Sequence, residues 1–285
     1  MGHELATIIF DTSALNAIAA ETASPADLEK LSTQFFVRLT ETNLAEVGAT
    51  SRAELREQLL KLCRRIGIGK HGECIKPYNW IIEELTRDHS RYPSIFDWRK
   101  IPLRSPAMER ELASGAFLGK PDAAEAMRDD ARASDEEFQN LFKAARENVW
   151  VSPEARKLSL DEVTDILTAD GGALWKTGIG FYRRATGIEL TEIEVRKFID
   201  DCPPFHAMLL SIGVAHYHGS VRHLNASAQY GAGRLDLFAS TYLPYCDQFI
   251  TKDRRQLNAL SVVASKAGLE TQVRSHSEFR EQWLG

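Results

Sequence analysis

The apolar positions follow a strand-then-helix rhythm at both ends of the chain and a purely helical rhythm between them. Thr7-Ile8-Ile9-Phe10 is a short β-branched run, too brief for a helix and suited to a buried parallel strand. Asp11-Thr12-Ser13 follows at once, and Ala14 to Ala20 is strong helix-forming sequence. The spacing predicts Thr12 or Ser13 as the helix N-cap. It also places Asp11 at the carboxyl end of a strand, where open α/β sheets build their sites. Phe35 to Leu39 predicts a second strand, with Thr40 or Thr42 capping a helix through Asn43–Val47. An amphipathic helix over 52–66 carries Leu55, Leu59, Leu62 and Ile66 at helical spacing. Another is predicted over 79–89, with Trp80, Ile81 and Leu85 facing inward.

Between Tyr92 and Pro204 the strand signal fades. Residues 122–148 are rich in Ala, Glu, Asp, Arg and Lys, a composition that reads as solvated helix faces. Ser152-Pro153, Ser159 to Glu162 and Thr191-x-x-Glu194 each resemble a helix start, the last a capping box. The end of the chain returns to the first rhythm. Pro204 to His218 predicts an apolar helix, and Gly231-Ala232-Gly233 breaks the chain before a helix over 235–242 that Pro244 ends. Gln248 to Thr251 predicts a strand, Gln256 to Ala267 a helix stopped by Gly268, and Thr271 to Arg274 a last strand. The fold class is therefore α/β, with one parallel sheet interrupted by an all-helical insertion. The implied organisation is a first core part over 1–91, the insertion over 92–204 and a second core part over 205–285.

Composition changes this picture little. The net charge is −5, so an exclusively electrostatic grip on nucleic acid is not the expectation. An acidic site that holds cations is compatible with that balance. No run approaches a membrane helix, and no secretory signal is visible. The four scattered cysteines form neither a C-x-x-C pair nor a disulfide framework, which predicts a reducing, cytoplasmic setting.

Four carboxylates carry the candidate chemistry. Asp11 follows the first strand, Glu46 lies on the helix after the second, Asp236 opens a helix after the glycine break, and Asp253 follows the strand ending at Thr251. Parallel strands bring such edges together across a long separation in sequence. Clustered carboxylates repel when desolvated and persist most easily around a cation. An all-oxygen ligand set favours Mg²⁺ or Mn²⁺. Such ions can polarise a phosphodiester and generate its nucleophile. The bland alternative for each acid is a helix cap. Glu41 rivals Glu46 because it stands closer to its strand, and Asp247 rivals Asp253 from the other end of its strand. Lys252, Arg254 and Arg255 flank Asp253, and Arg234 lies beside Asp236; these can meet phosphates or form a solvated turn and an ion pair. His206, His216, His218 and His223 form no zinc pattern, and the chain holds no phosphate-binding loop or serine elbow.

The ordered set resembles the PIN-domain nucleases. Ile8-Ile9-Phe10-Asp11-Thr12-Ser13-Ala14-Leu15 is similar to their first motif, and Leu39 to Val47, with Glu46, to the second. Asp236-Leu237-Phe238-Ala239-Ser240 is similar to the third, and Phe249-Ile250-Thr251-Lys252-Asp253 to the fourth. The resemblance covers the two ends of the chain and not its middle. It implies a PIN-like three-layer fold and Mg²⁺- or Mn²⁺-dependent cleavage, most often of RNA. It implies metal-binding and catalytic roles for Asp11, Glu46, Asp236 and Asp253. Thr251 would support the site through its hydroxyl, alongside Thr12 and Ser13. Many bacterial members are toxins paired with an antitoxin, but compact toxins lack so large an insertion, which could instead carry a protein partner or antitoxin. Two alternatives accompany the endoribonuclease reading. One is a catalytically inactive PIN-like protein or nucleic-acid-binding module. The other is a nuclease with the same metal site acting on DNA or structured RNA. A base-stacking surface would need exposed aromatics, for which Trp80, Trp98, Trp150 and Trp175 are the candidates.

Overall fold

The computed structural model describes residues 5–21, 25–115, 157–221 and 234–284, with isolated positions between 122 and 154. Five strands form one sheet in the order β3-β2-β1-β4-β5, every neighbouring pair parallel. They are β1 (Ala6–Phe10), β2 (Phe35–Leu39), β3 (Gly72–Cys74), β4 (Gln248–Thr251) and β5 (Gln272–Ser275). The chain builds outward from β1 to β2 and β3, then returns on the other flank with β4 and β5. β1 is thus central, and the order reverses between β1 and β4.

Alternation along each strand divides the sheet's side chains between two cores. Ile8, Phe10, Val37, Leu39 and Ile250 pack on one face. Covering them are α1 (Thr12–Ala20), α2 (Pro25–Gln34), α4 (Ala53–Gly67) and the C-terminal helix, here α13 (His276–Leu284). Phe279 of α13 sits edge-on to Phe10 with ring centroids 5.4 Å apart. Between these elements α3 (Glu41–Ala49) follows β2. Ile9 and Phe249 point to the other face. There they meet α5 (Tyr78–Arg91), α8 (Ala173–Thr186), α9 (Glu192–Asp201) and α10 (Pro203–His216). This makes a three-layer α/β arrangement.

The middle of the chain is helical among the described residues: α6 (Pro106–Ser114) and α7 (Leu160–Thr168) precede α8 and α9. Ser159 and Thr191 form capping boxes with Glu162 and Glu194. The insertion is not held away from the sheet. Tyr182, Val195 and Phe198 share one apolar cluster with Ile9, Phe249 and Leu260, so the expected boundary at residue 204 runs through a common core. The charged stretch over 122–148, and Trp150 and His223, lie wholly or largely outside the described residues.

The expected glycine break at 231–233 lies outside the described residues; beyond it, α11 (Arg234–Phe238) gives way to a tighter 3-10 stretch, Ala239–Tyr245, with Pro244 inside its last turn rather than after the helix. Proline lacks the amide hydrogen that a continuing helix needs, and the 3-10 stretch ends one residue later, at Tyr245. The helix α12 (Arg254–Lys266) then stops at Gly268, whose φ of 63° is left-handed. Among the described residues no helix is long and apolar enough to cross a membrane. All four cysteines are buried free thiols.

Candidate functional site

The strand order reverses between β1 and β4, and open α/β sheets bind ligands at the carboxyl ends of the strands beside such a reversal. Asp11 stands there. Its amide donates to Ile250 O at 2.9 Å and so closes the β1–β4 ladder. Its side chain, rather than Thr12 or Ser13, caps α1: Oδ1 accepts from the Ala14 amide at 2.8 Å. Ser13 does not cap its own helix because its hydroxyl is engaged elsewhere. Ser13 Oγ donates to Asp11 Oδ1 at 2.9 Å and accepts from the amides of Lys252 and Asp253 at 2.8 and 3.0 Å. Thr12 becomes the first helical residue, and its hydroxyl accepts from Asn43 Nδ2 at 3.4 Å, joining this corner to α3.

Thr251 completes the connection. It is 1% exposed at the end of β4. Its hydroxyl donates to Asp11 Oδ2 at 3.0 Å and accepts from the Asp253 amide at 2.9 Å. Asp253 caps α12, accepting from the amides of Arg255 and Gln256. Gln256 in turn donates from Nε2 to Asp236 Oδ1 at 3.3 Å. A continuous set of hydrogen bonds therefore runs from Asp11 through Ser13 and Thr251 to Asp253 and on through Gln256 to Asp236.

Electrostatics within this set are uneven. Burial pushes the Asp11 carboxyl above its ordinary value, against the lowering effect of the bonds from Ala14, Ser13 and Thr251. Glu41 is also raised by burial. It is the first residue of α3, at the end of β2, and lies close enough to Tyr242 to disfavour that phenol's ionisation. Glu46 is partly buried five positions further along α3, about 7 Å down the helix axis. Asp247 is at the wrong edge: its Oδ2 accepts from the Thr7 amide at the amino end of β1. Lys252, Arg254 and Arg255 are exposed beside Asp253. Arg234 opens α11, and its side chain lies outside the described residues. Lys252 also lines a cavity of about 450 Å³ with Arg280 and His276 at the end of β5.

The donor chemistry suits a hard cation: carboxylates and hydroxyls, with the thiols buried away in the cores. Gln256 Oε1 is a buried acceptor without a hydrogen-bond partner, on the same amide whose Nε2 donates to Asp236. Among the described residues, however, no three Asp, Glu, His or Cys side chains close around one point. The three aspartates are instead engaged locally, Asp11 by hydroxyls, Asp253 by a helix N-terminus and Asp236 by Gln256. That arrangement reduces the mutual repulsion of desolvated carboxylates.

Gln256 and Asn43 were not among the sequence candidates. Gln256 had a readable signal. It occupies the inward stripe of α12 with Ala259, Leu260, Val263 and Ala264, where an amide is out of place unless it has polar work. Asn43 had none beyond the Thr40 cap that it completes. Comparison of the chain with protein-family models, with curated proteins and with solved structures finds no match.

Proposed function

We propose that the chain is a Mg²⁺- or Mn²⁺-dependent nuclease of PIN-like fold that cleaves phosphodiester bonds at the carboxyl edge of β1 and β4, with RNA as its first substrate. The observation that carries the reading is the setting of Asp11. A desolvated carboxylate at the switch point is gripped by the hydroxyl of Thr251, 240 positions away in sequence. Such a group is costly to keep as an anion and most useful beside a cation.

Asp11, Asp236 and Asp253 would hold the ion, with Glu46 or its strand-proximal neighbour Glu41 as the fourth acid. A bound ion of this kind polarises the phosphodiester and supplies a hydroxide nucleophile near neutral pH. The chain's own residues do the rest. Ser13 and Thr251 fix the orientation of the Asp11 carboxylate by bonding each oxygen separately. The α12 N-terminus fixes Asp253. Lys252, Arg254 and Arg255 meet the flanking phosphates.

A second reading, a catalytically inactive nucleic-acid-binding module of the same fold, draws on the local engagement of the three aspartates by the chain itself. One assay separates the two. Labelled single-stranded RNA, single-stranded DNA and their duplexes are incubated with the wild-type chain in Mn²⁺, in Mg²⁺ and in excess chelator. We expect cleavage of RNA with either ion, loss with chelator and recovery when metal is restored. Binding without cleavage of any substrate would favour the inactive module. Cleavage that survives the chelator would remove the metal chemistry.

A further inference from the structure

His276 is 5% exposed, yet among the described residues neither of its ring nitrogens has a hydrogen-bond partner. Buried polar side-chain atoms are normally bonded. The residue lines the cavity of about 450 Å³ at the end of β5, and its nitrogens open into that space rather than into the core. Burial lowers the proton affinity of this imidazole, Glu21 raises it, and Lys252 and Arg280 lower it again, so all three charges stand close to the ring.

The cavity lies beside the candidate site. Ser275, the last residue of β5, is level with Thr251 of β4, and Thr251 bonds Asp11 at the end of β1. Two strand spacings, about 10 Å, therefore separate Ser275 from Asp11. Lys252, on the cavity wall, donates its amide to the Ser13 hydroxyl that serves Asp11.

Charge is graded along α13. At the sheet end stand the His276 ring, the Ser277 hydroxyl, the first turn of the helix and the ammonium of Lys252, which has no ion pair among the described residues. A helix N-terminus favours an anion. Glu278 in that turn is folded back onto the Ser275 amide and hydroxyl, at 2.9 and 2.7 Å. The carboxylates that line the cavity, Glu21 and Glu281, stand one helical turn further down, about 5 Å, where Glu21 pairs with Arg280 at 3.4 Å. Lysine, imidazole and helix terminus thus converge on one end of the space. A phosphomonoester matches them, with three acceptor oxygens and close to two negative charges. A phosphate inside a strand has fewer of both.

We infer that this cavity seats the terminal phosphate of the substrate strand, held by Lys252, His276 and the first turn of α13. The strand assignment rests on the nuclease reading. The phosphomonoester chemistry does not, and free phosphate shares it.

The test is made in excess chelator, so that cleavage plays no part. Anisotropy is measured for a short, internally labelled oligoribonucleotide with a phosphate at its 5′ end, at its 3′ end or at neither. One phosphorylated form is expected to bind about 10- to 150-fold tighter than the form with two hydroxyl ends, the worth of hydrogen bonds to a charged group. Lys252→Ala and His276→Gln each remove most of that preference. Arg254→Ala, outside the cavity, weakens all three forms alike and keeps it. Lys252 is exposed, so Lys252→Ala should melt with the wild type and carries the test if His276→Gln does not fold. Equal binding of the three forms overturns the inference, as does binding of none, or a preference that survives Lys252→Ala. Inorganic phosphate supplies the second arm, followed by the His276 ring resonances and by competition. If it binds as tightly as the phosphorylated strand, the cavity belongs to free phosphate and the strand assignment falls. A chain that cleaves RNA without any end preference keeps the nuclease reading and loses this one. A chain with the end preference that cleaves nothing keeps the phosphate site and loses the nuclease reading.

Discussion

Asp11→Asn is expected to lower metal-dependent RNA cleavage by about 10²–10³-fold and, at the same time, to raise the melting temperature of the metal-free protein by a few degrees. The two effects share one cause. The carboxylate supplies the negative charge that a cation needs, and in the absence of that cation its burial is a cost. An amide keeps the acceptor that caps α1 at the Ala14 amide but removes the charge. The sign can be followed through pH. Burial raises the folded-state value of Asp11 above the ordinary 3.8. Its contribution to stability is therefore fully present below about 3.8 and is lost as pH rises through the raised folded value. The melting-temperature gap between Asp11→Asn and the metal-free wild type should widen over that interval and then level off. A variant less stable than the wild type throughout would mean that the bonds from Ser13 and Thr251 outweigh desolvation.

Phe198→Ala is expected to cost about 3–5 kcal/mol and to shift the whole unfolding transition as a single step. Phe198 is fully buried and touches four aromatic rings: His89 at 4.5 Å, Phe205 at 4.9 Å, Tyr182 at 5.3 Å and Phe96 at 5.8 Å. Those partners come from α5, α8, α10 and the segment after α5, and the same cluster reaches Ile9 and Phe249 of the sheet. Calorimetry checks this directly. A second, unshifted transition would show that the helical middle unfolds independently of the sheet.

Four strands were legible in sequence, three of them with side chains to bury and β5, predicted over Thr271–Arg274, with Val273 alone. β1, β2 and β4 carry Ile8, Ile9, Phe10, Val37, Leu39, Phe249 and Ile250, and each was predicted within a residue of its observed bounds. β3 is only Gly72-Glu73-Cys74 and has no apolar signature. It exists because the backbone comes close: a Cβ on Gly72 would lie 2.1 Å from Ile66 O. That is a tertiary constraint with no local pattern. Two further helices leave only sparse apolar traces in the sequence, Leu28 and Leu31 in α2 and Phe279 and Trp283 in α13.

The candidate site was legible to the same degree. Asp11, Ser13, Thr251 and Asp253 were readable because each sits where a strand stops, and parallel neighbours β1 and β4 had to bring them level. The division of labour was not. Whether Ser13 caps its own helix or serves the loop after β4 depends on a partner 239 positions away, and nothing local encodes it. The choice between Glu41 and Glu46 depends on the angle at which α3 leaves β2, which periodicity does not specify. The inward expectation for Trp80 failed for a related reason. Its neighbours Ile81 and Leu85 define the buried stripe of α5, and Trp80 falls just outside it.

Crystals equilibrated with Mn²⁺ and measured at a wavelength where manganese scatters anomalously test the central claim most directly. An anomalous peak is expected at the carboxyl edge of β1 and β4, bounded by the oxygens of Asp11 and of Asp236 or Asp253, and it should vanish in Asp11→Asn crystals. Saturating Mn²⁺ that leaves this edge without a peak, or that binds equally well in the variant, would contradict that claim.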